Sequence, residues 1–206
     1  MSIRLEDKFH EDIDMSKLHY EYYTCEDMSV EDKHKTYKCC KDNTCCKDDL
    51  CFGYVQIYYG KLPRLVVTTP IMKCPFGIQN QGSSYNLALQ FTDLREDSYM
   101  NSFYEWMQMI EFSHMKYLGL SDSDVNSYIT QIKQDKKGKY DPNLSIKIPF
   151  EYNKFVTDIY SDNNPAINLF YVQRFSNIQC DIYIDKIWKY NQQFVCKWKV
   201  KCIYVV

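Results

Sequence analysis

No run of about 18 apolar residues occurs in this chain, so no membrane-spanning helix is expected. The first residues, MSIRLEDKFHEDIDMSK, are acidic and lack the apolar core of a secretory signal. An intracellular protein that acts without a membrane is therefore expected. Enzyme signatures are also missing: there is no GxGxxG, Walker A, GxSxG or HExxH sequence. His114 falls on an apolar helical stripe, which suits a core histidine better than a catalyst. The carboxylates of DSDVN, residues 122–126, read as a helix start. These absences point away from an enzyme and away from a bound cofactor. Residues 1–51 contain no glycine and no proline, and their apolar residues are scattered. They read as an acidic, cysteine-rich appendage to a domain spanning residues 52–206.

What is present begins with aromatic residues. The 19 Tyr and 11 Phe argue against disorder over most of the chain. Its 206 residues suffice to bury one real core. Charge is unevenly placed: residues 1–51 carry 8 Lys/Arg against 13 Asp/Glu, and residues 139–206 carry 9 against 6. The last third therefore favours an anionic partner, although a solvated face also explains a small surplus.

Ten cysteines are present, five of them in CCKDNTCCKDDLC. Without a secretory signal a disulfide framework is not expected. The hexapeptides CCKDNT and CCKDDL repeat one another and read as low complexity as easily as design. Cys25, His34, Cys39, Cys40, Cys45, Cys46 and Cys51 are the candidates for a zinc site, with four residues between Cys40 and Cys45 and between Cys46 and Cys51. Adjacent cysteines rarely ligate the same ion, so the main reading is no metal, with zinc as the alternative. Cys74, Cys180, Cys196 and Cys202 fit buried free thiols.

Patterning gives the fold class. A short helix is expected over 7–22. GYVQIYYG reads as a strand at 53–59 and RLVVTT as a second one ended by Pro70. In PIMKCPFG the prolines fix direction and Gly77 accepts a positive φ, so this loop turns the chain between strands. YNLALQF alternates, with Tyr85, Leu87, Leu89 and Phe91 on the buried face. Tyr99, Phe103, Trp106, Met107, Ile110, His114 and Leu118 recur at helical spacing, and Gly119 ends that helix. Ser121 is placed to cap a second helix with Val125, Tyr128, Ile129 and Ile132 as its stripe. Leu144, Ile146 and Ile148 alternate again. AINLFYV, IQCDIYIDKIW and FVCKWKVKCIYVV complete the strands, the last two pairing around KYNQQ. Strands, then helices, then strands disfavour a doubly wound α/β fold. The order fits a mainly β, OB-like, partly open antiparallel barrel with helices inserted between its third and fourth strands.

CKWKVKC is the most informative short stretch. As a strand it turns Cys196, Trp198, Val200 and Cys202 inward. Lys197, Lys199 and Lys201 then share the other face at about 6.6–7 Å spacing. That spacing approximates successive phosphates of one strand, and Lys147 extends the row. An edge strand guarded by lysines against aggregation explains the same pattern. Tyr54, Tyr58, Trp188 and Tyr190 are candidate stacking platforms, set against the many aromatics that a core of this size consumes. Lys73 is placed at the tip of the PIMKCPFG loop.

TPIMKCPFGI followed by YNLALQF resembles the single-stranded DNA-binding proteins of nucleocytoplasmic large DNA viruses. YDPNLSIKIP, IDKIW and CKWKVKCIYV match further segments of that family in order, from about residue 52 to the end. NQQF replaces the glycine expected before the last strand. The resemblance implies an OB-fold and sequence-independent binding of single-stranded DNA in viral replication, recombination or repair. It implies a place in the host cytoplasm or the virion, with viral replication proteins or a second copy as further partners. The alternative is a virion structural or scaffolding protein that uses the barrel for protein contacts. The acidic N-terminal segment is further expected to fold over the basic groove and weaken non-specific binding.

Overall fold

The computed structural model describes residues 8–24, 52–82, 84–161, 168–190 and 192–206. Along the chain they form β1 (Leu18–Thr24), β2 (Phe52–Tyr59), β3 (Leu65–Thr68), β4 (Met72–Cys74), β5 (Gln79–Gln81), β6 (Ser84–Gln90), helix α1 (Ser98–Tyr117), β7 (Tyr128–Ile129), β8 (Ile132–Lys133), β9 (Asn143–Ile148), β10 (Phe150–Glu151), β11 (Lys154–Phe155), β12 (Asp158–Ser161), β13 (Ser176–Ile184), β14 (Lys186–Tyr190), β15 (Gln193–Cys196) and β16 (Trp198–Val205). The protein is mainly β, with α1 as its one long helix among the described residues. No helix among those residues is long and apolar enough to cross a membrane.

Five strand positions close into a ring. β4 pairs with β6, β6 with β9, β9 with β16, β16 with β13, and β13 with both β3 and β4. Only the β9–β16 contact in this ring is parallel, and it rests on two residue pairs, Ile146 with Trp198 and Lys147 with Lys199. Taking β3 and β4 as one interrupted strand, the ring runs first, second, third, fifth, fourth, an OB-like barrel with a helical insertion. The interruption falls at Pro70, which has no N–H to give a ladder. Thr69 bridges the gap: its N–H donates to the Cys180 carbonyl at 2.8 Å and its hydroxyl accepts the Cys180 N–H at 3.1 Å. Counted along the chain, α1 follows the strands at 52–59, 65–68 and 84–90. Within the ring it lies between the second and third members, because β2 belongs to another sheet.

That other sheet has the order β1-β2-β14-β15-β7. It grows out of the barrel because one long hairpin bends. IQCDIYIDKIW and FVCKWKVKCIYVV, each expected as one strand, are each split in two: β13 gives way to β14 at Asp185, and β15 to β16 at Lys197. β14 and β15 do pair as the expected hairpin, from Ile187 with Cys196 to Tyr190 with Gln193.

The core follows the alternation. Leu87, Leu89, Phe91, Leu144, Ile146, Ile148, Ile178, Ile182 and Trp198 are all at most 1% exposed. Each such side chain contributes about 1.5–3 kcal/mol of burial. Helix α1 starts where the Asp97 carboxylate accepts the N–H groups of Tyr99 and Met100, and Gly119 at φ +67° ends it. It lies between the two sheets. Trp106 approaches Trp198 of the barrel at 6.1 Å, and Tyr20 of β1 approaches His114 at 5.8 Å between ring centroids.

Three expected elements take another form. Residues 8–24 are not helical beyond single 3-10 turns at His10–Asp12 and Met15–Lys17. LHYEYYT instead makes strand β1, whose seven residues pair with β2, so this part of the N-terminal segment is built into the second sheet. Residues 121–132 begin with the Ser121–Asp124 capping box, but only a 3-10 helix, Asp122–Ser127, follows. Glu111 of α1 accepts the Gln131 N–H at 2.6 Å and the Thr130 hydroxyl, and β7 and β8 join the flanking sheets, so tertiary partners win over helical periodicity. In AINLFYV, residues 169–171 form a 3-10 turn rather than a strand.

Candidate nucleic-acid interface

On the outer face of the barrel, register brings unlike strands together. Asn86 lies opposite Lys147, Lys147 beside Lys199, and Lys199 opposite Tyr183. Their inward neighbours Ile146 and Trp198 are buried, so Lys147 and Lys199 share the outer face. Lys199 donates to both oxygens of Asp185 at 2.8 Å. Its Nζ also stands 5.6 Å from the Tyr183 ring centre, and Arg64 stands 5.3 Å from the same ring. Burial pushes the Tyr183 phenol up, helped by Asp185 and Glu151 and opposed by Arg64.

The evenly spaced lysine ladder of the sequence pattern is not kept. Lys197 is exposed at the break between β15 and β16. Lys201 is passed over by a register shift, since Asp181 faces Cys202 and Ile182 faces Val200. Lys199 alone of the three sits in regular pairing, with Lys147 of the neighbouring strand beside it. Lys73 is not at a loop tip: it lies in β4, opposite Gln90 and Asn177, with its Nζ 5.4 Å from the Phe175 ring centre. The turn that follows uses Gly77 at φ +65°. A Cβ there would meet the Val172 carbonyl oxygen and the Arg174 nitrogen at 3.2 Å.

The second sheet carries the aromatics. Tyr23 of β1, Tyr54 of β2 and Trp188 of β14 form a cross-strand row. Tyr23 stacks on Tyr54 at 5.0 Å, and Tyr54 meets Trp188 at 5.2 Å. The Lys186 Nζ lies 4.1 Å from the Tyr54 ring centre and 5.4 Å from that of Trp188. Tyr58 stacks on His19 at 5.1 Å, and the hydroxyls of Tyr58 and Tyr23 are 3.2 Å apart. That contact and the bond from Tyr23 to Glu21 raise the Tyr23 phenol above its ordinary value. The backbone of Tyr190 pairs with Gln193 at the hairpin end, and its side chain lies outside the described set.

Successive residues at the bend join the two faces. Asp185 holds Lys199 of the barrel, and Lys186 covers the aromatics of the second sheet. The Asp185 carbonyl accepts the Ile57 N–H at 2.7 Å and the Gln56 side-chain amide at 2.9 Å, which pins the bend to β2. Of the sequence-derived candidates, Tyr54, Tyr58, Trp188, Lys147 and Lys199 lie on these two faces. Tyr23, Lys186, Arg64 and Tyr183 were not singled out. The alternation of HYEYYT held the only signal for Tyr23, and that stretch also admits a helix.

Other polar sites are of a different kind. The zinc candidates Cys25, His34, Cys39, Cys40, Cys45, Cys46 and Cys51 lie outside the described residues. Cys74, Cys180, Cys196 and Cys202 are buried thiols outside any disulfide, and burial pushes the thiols of Cys74, Cys180 and Cys196 up. His114 is 1% exposed, its Nδ1 2.8 Å from the Tyr128 hydroxyl, and burial lowers its pKa to about 3. An open cleft of about 330 Å³ lies between His10 and α1, lined by Glu11 and Glu105 among others, a charge that disfavours an anionic ligand.

No family model and no curated protein matches this sequence. Solved structures that align with the chain include the single-stranded DNA-binding protein from bacteriophage Enc34, at 9% identity and a TM-score of 0.47, covering 73% of this chain and 83% of that one. The same phage protein in complex with single-stranded DNA aligns at 10% identity and a TM-score of 0.44, over 73% and 89% of the two chains. The single-stranded DNA-binding protein gp2.5 encoded by bacteriophage T7 aligns at 9% identity and a TM-score of 0.41, over 69% and 86%.

Proposed function

We propose that this protein binds single-stranded DNA without catalysis and with little dependence on base sequence. One observation carries the reading: the bend at Asp185–Lys186 joins a cationic barrel face to an aromatic sheet face. Lys147, Lys199 and Arg64 supply charges for the phosphate backbone. Tyr54, Trp188 and Tyr23 offer ring faces on which bases stack. Only unpaired bases expose those faces, so a single strand suits this surface and a duplex does not. Lys186 suits a phosphate between the stacked bases and the barrel.

The sequence resemblance supports a setting for the activity. It is that of single-strand protection during replication, recombination or repair of a large DNA virus, in the host cytoplasm, with viral replication proteins as partners.

Fluorescence anisotropy with a labelled oligo-dT, titrated at several salt concentrations with duplex competitor, tests the reading. Binding should resist duplex and weaken steeply with salt. No binding at low salt would overturn it and leave the barrel as a protein-contact scaffold.

A further inference from the structure

β9 leaves the barrel at Pro149, and the chain returns to the barrel edge at Asp158, opposite Cys202 of β16. Between these points stands a small hairpin. Phe150 pairs with Phe155 and Glu151 with Lys154, so only Tyr152 and Asn153 form the turn. Both have positive φ, +49° and +61°, as a two-residue turn of the mirror-image type requires. Asn tolerates that conformation. A bulky L-residue does not, because its Cβ crowds the following carbonyl oxygen. Glycine is the ordinary solution at such a position, and this chain places there a tyrosine that is 93% exposed. Strain of this kind persists where surrounding structure enforces it and is concentrated at functional sites.

The enforcing structure is visible. Phe150, Phe155 and Tyr85 form an aromatic trio with ring centroids 4.7–5.1 Å apart, which clamps the hairpin stem to the end of the barrel. The stem starts three residues after Lys147. At its return the Thr157 hydroxyl donates to the Val200 carbonyl at 3.4 Å. Glu151, beside the turn, is near enough to act electrostatically on Tyr183, the ring that lies under Arg64 and Lys199. Phe175 also has a positive φ, but its N–H donates to the Cys74 carbonyl at 2.7 Å and Lys73 lies over its ring, so local packing accounts for it. For Tyr152 no packing of that sort goes with the strain, since the side chain stands in solvent.

We infer that the Phe150–Phe155 hairpin, with Tyr152 at its tip, is a stacking finger that presents one aromatic ring to a base of a single strand lying along the Lys147–Lys199 face. This inference rests on the single-strand reading above and extends it to a segment outside the two faces already described.

The full chain would be tested as wild type, Tyr152→Phe and Tyr152→Gly, each against labelled oligo-dT and an abasic oligomer of the same length, with a thermal melt of each protein. Glycine suits φ +49°, so Tyr152→Gly should melt at or above the wild-type temperature. It should bind oligo-dT roughly 5- to 150-fold more weakly, the range for losing one base–aromatic stack, and bind the abasic strand as wild type does. Tyr152→Phe should keep wild-type affinity. Wild-type affinity of Tyr152→Gly for oligo-dT, beside tight wild-type binding, would overturn the finger alone. Equal weakening on both strands, or a lowered melting temperature, would also overturn it in favour of a structural role. Failure of the wild type to bind either strand would overturn this inference and the single-strand reading together.

Discussion

The hairpin from Ser176 to Val205 is chemically different on its two sides of Asp185. In the β13–β16 half, Ile178, Ile182, Ile184, Trp198 and Val200 fill a closed barrel and are at most 1% exposed. In the β14–β15 half, Ile187 and Cys196 are buried against the protein while Trp188, on the opposite face, remains partly open beside Tyr54 and Lys186. The same kind of residue therefore serves two ends. Trp198 is a barrel-filling side chain and Trp188 a surface platform, ten residues apart. Closure of a sheet on itself leaves an inside with no solvent. An open sheet covered by α1 on one side leaves the other side free to hold rings in water.

The largest test of this contrast is Trp198→Ala. It should cost about 3–5 kcal/mol of stability in denaturant unfolding, because it opens a cavity between the barrel and Trp106. A cost near that of an exposed substitution would mean that the barrel does not close around this residue.

Acid should act on the attachment of the second sheet. His114 faces Tyr20 and Tyr128, both on strands of that sheet. Its folded pKa of about 3 lies below the ordinary value of 6.5, so the unfolded chain takes up a proton that the folded protein refuses. Its contribution is present in full above pH 6.5 and is lost as pH falls toward 3. Between pH 7 and pH 5 this amounts to about 2 kcal/mol, at about 1.36 kcal/mol per pH unit for one proton. Equilibrium unfolding at the two pH values should show the loss, and His114→Gln should shrink it. An unchanged pH dependence in that variant would assign the acid sensitivity elsewhere.

Trp188→Ala should invert the Trp198 result. Stability should change little, and oligo-dT affinity should fall by about 1–3 kcal/mol in anisotropy titrations. The charge side is tested by Lys147→Ala with Lys199→Ala. The slope of log affinity against log salt should drop by about 1.4, two phosphate contacts on a single strand. An unaltered slope would remove the barrel face from the interface. The smallest effect is expected from Asp185→Asn. It releases Lys199 from its bidentate partner, so affinity should rise a few-fold at low salt. A fall would show that Asp185 holds Lys199 in a binding position rather than competing for it.

Much of the barrel was legible because its signal is local. In YNLALQF and LSIKI every second residue is apolar, and a strand with one buried face has no other way to distribute them. The α1 stripe was legible for the same reason at a helical period. Residues 121–132 misled because a capping box and a helical stripe are local too, while the Glu111 carboxylate that captures Thr130 and Gln131 comes from another element. The candidate site divides likewise. Lys199 announces itself through alternation, and Trp188 through its place near a strand end. Tyr23 gains its place only by pairing with Tyr54, some thirty residues away.

By itself the sequence determined which residues face inward along β6, β9 and β16, that α1 ends at Gly119, and that the chain is mainly β, since these follow from periodicity and glycine within a few neighbouring residues. The tertiary structure alone decided that the last hairpin bends at Asp185 and Lys197, that β1 completes the aromatic row, and that Lys147 stands beside Lys199. Those outcomes depend on register between distant strands, and no local pattern encodes which strand a segment will meet.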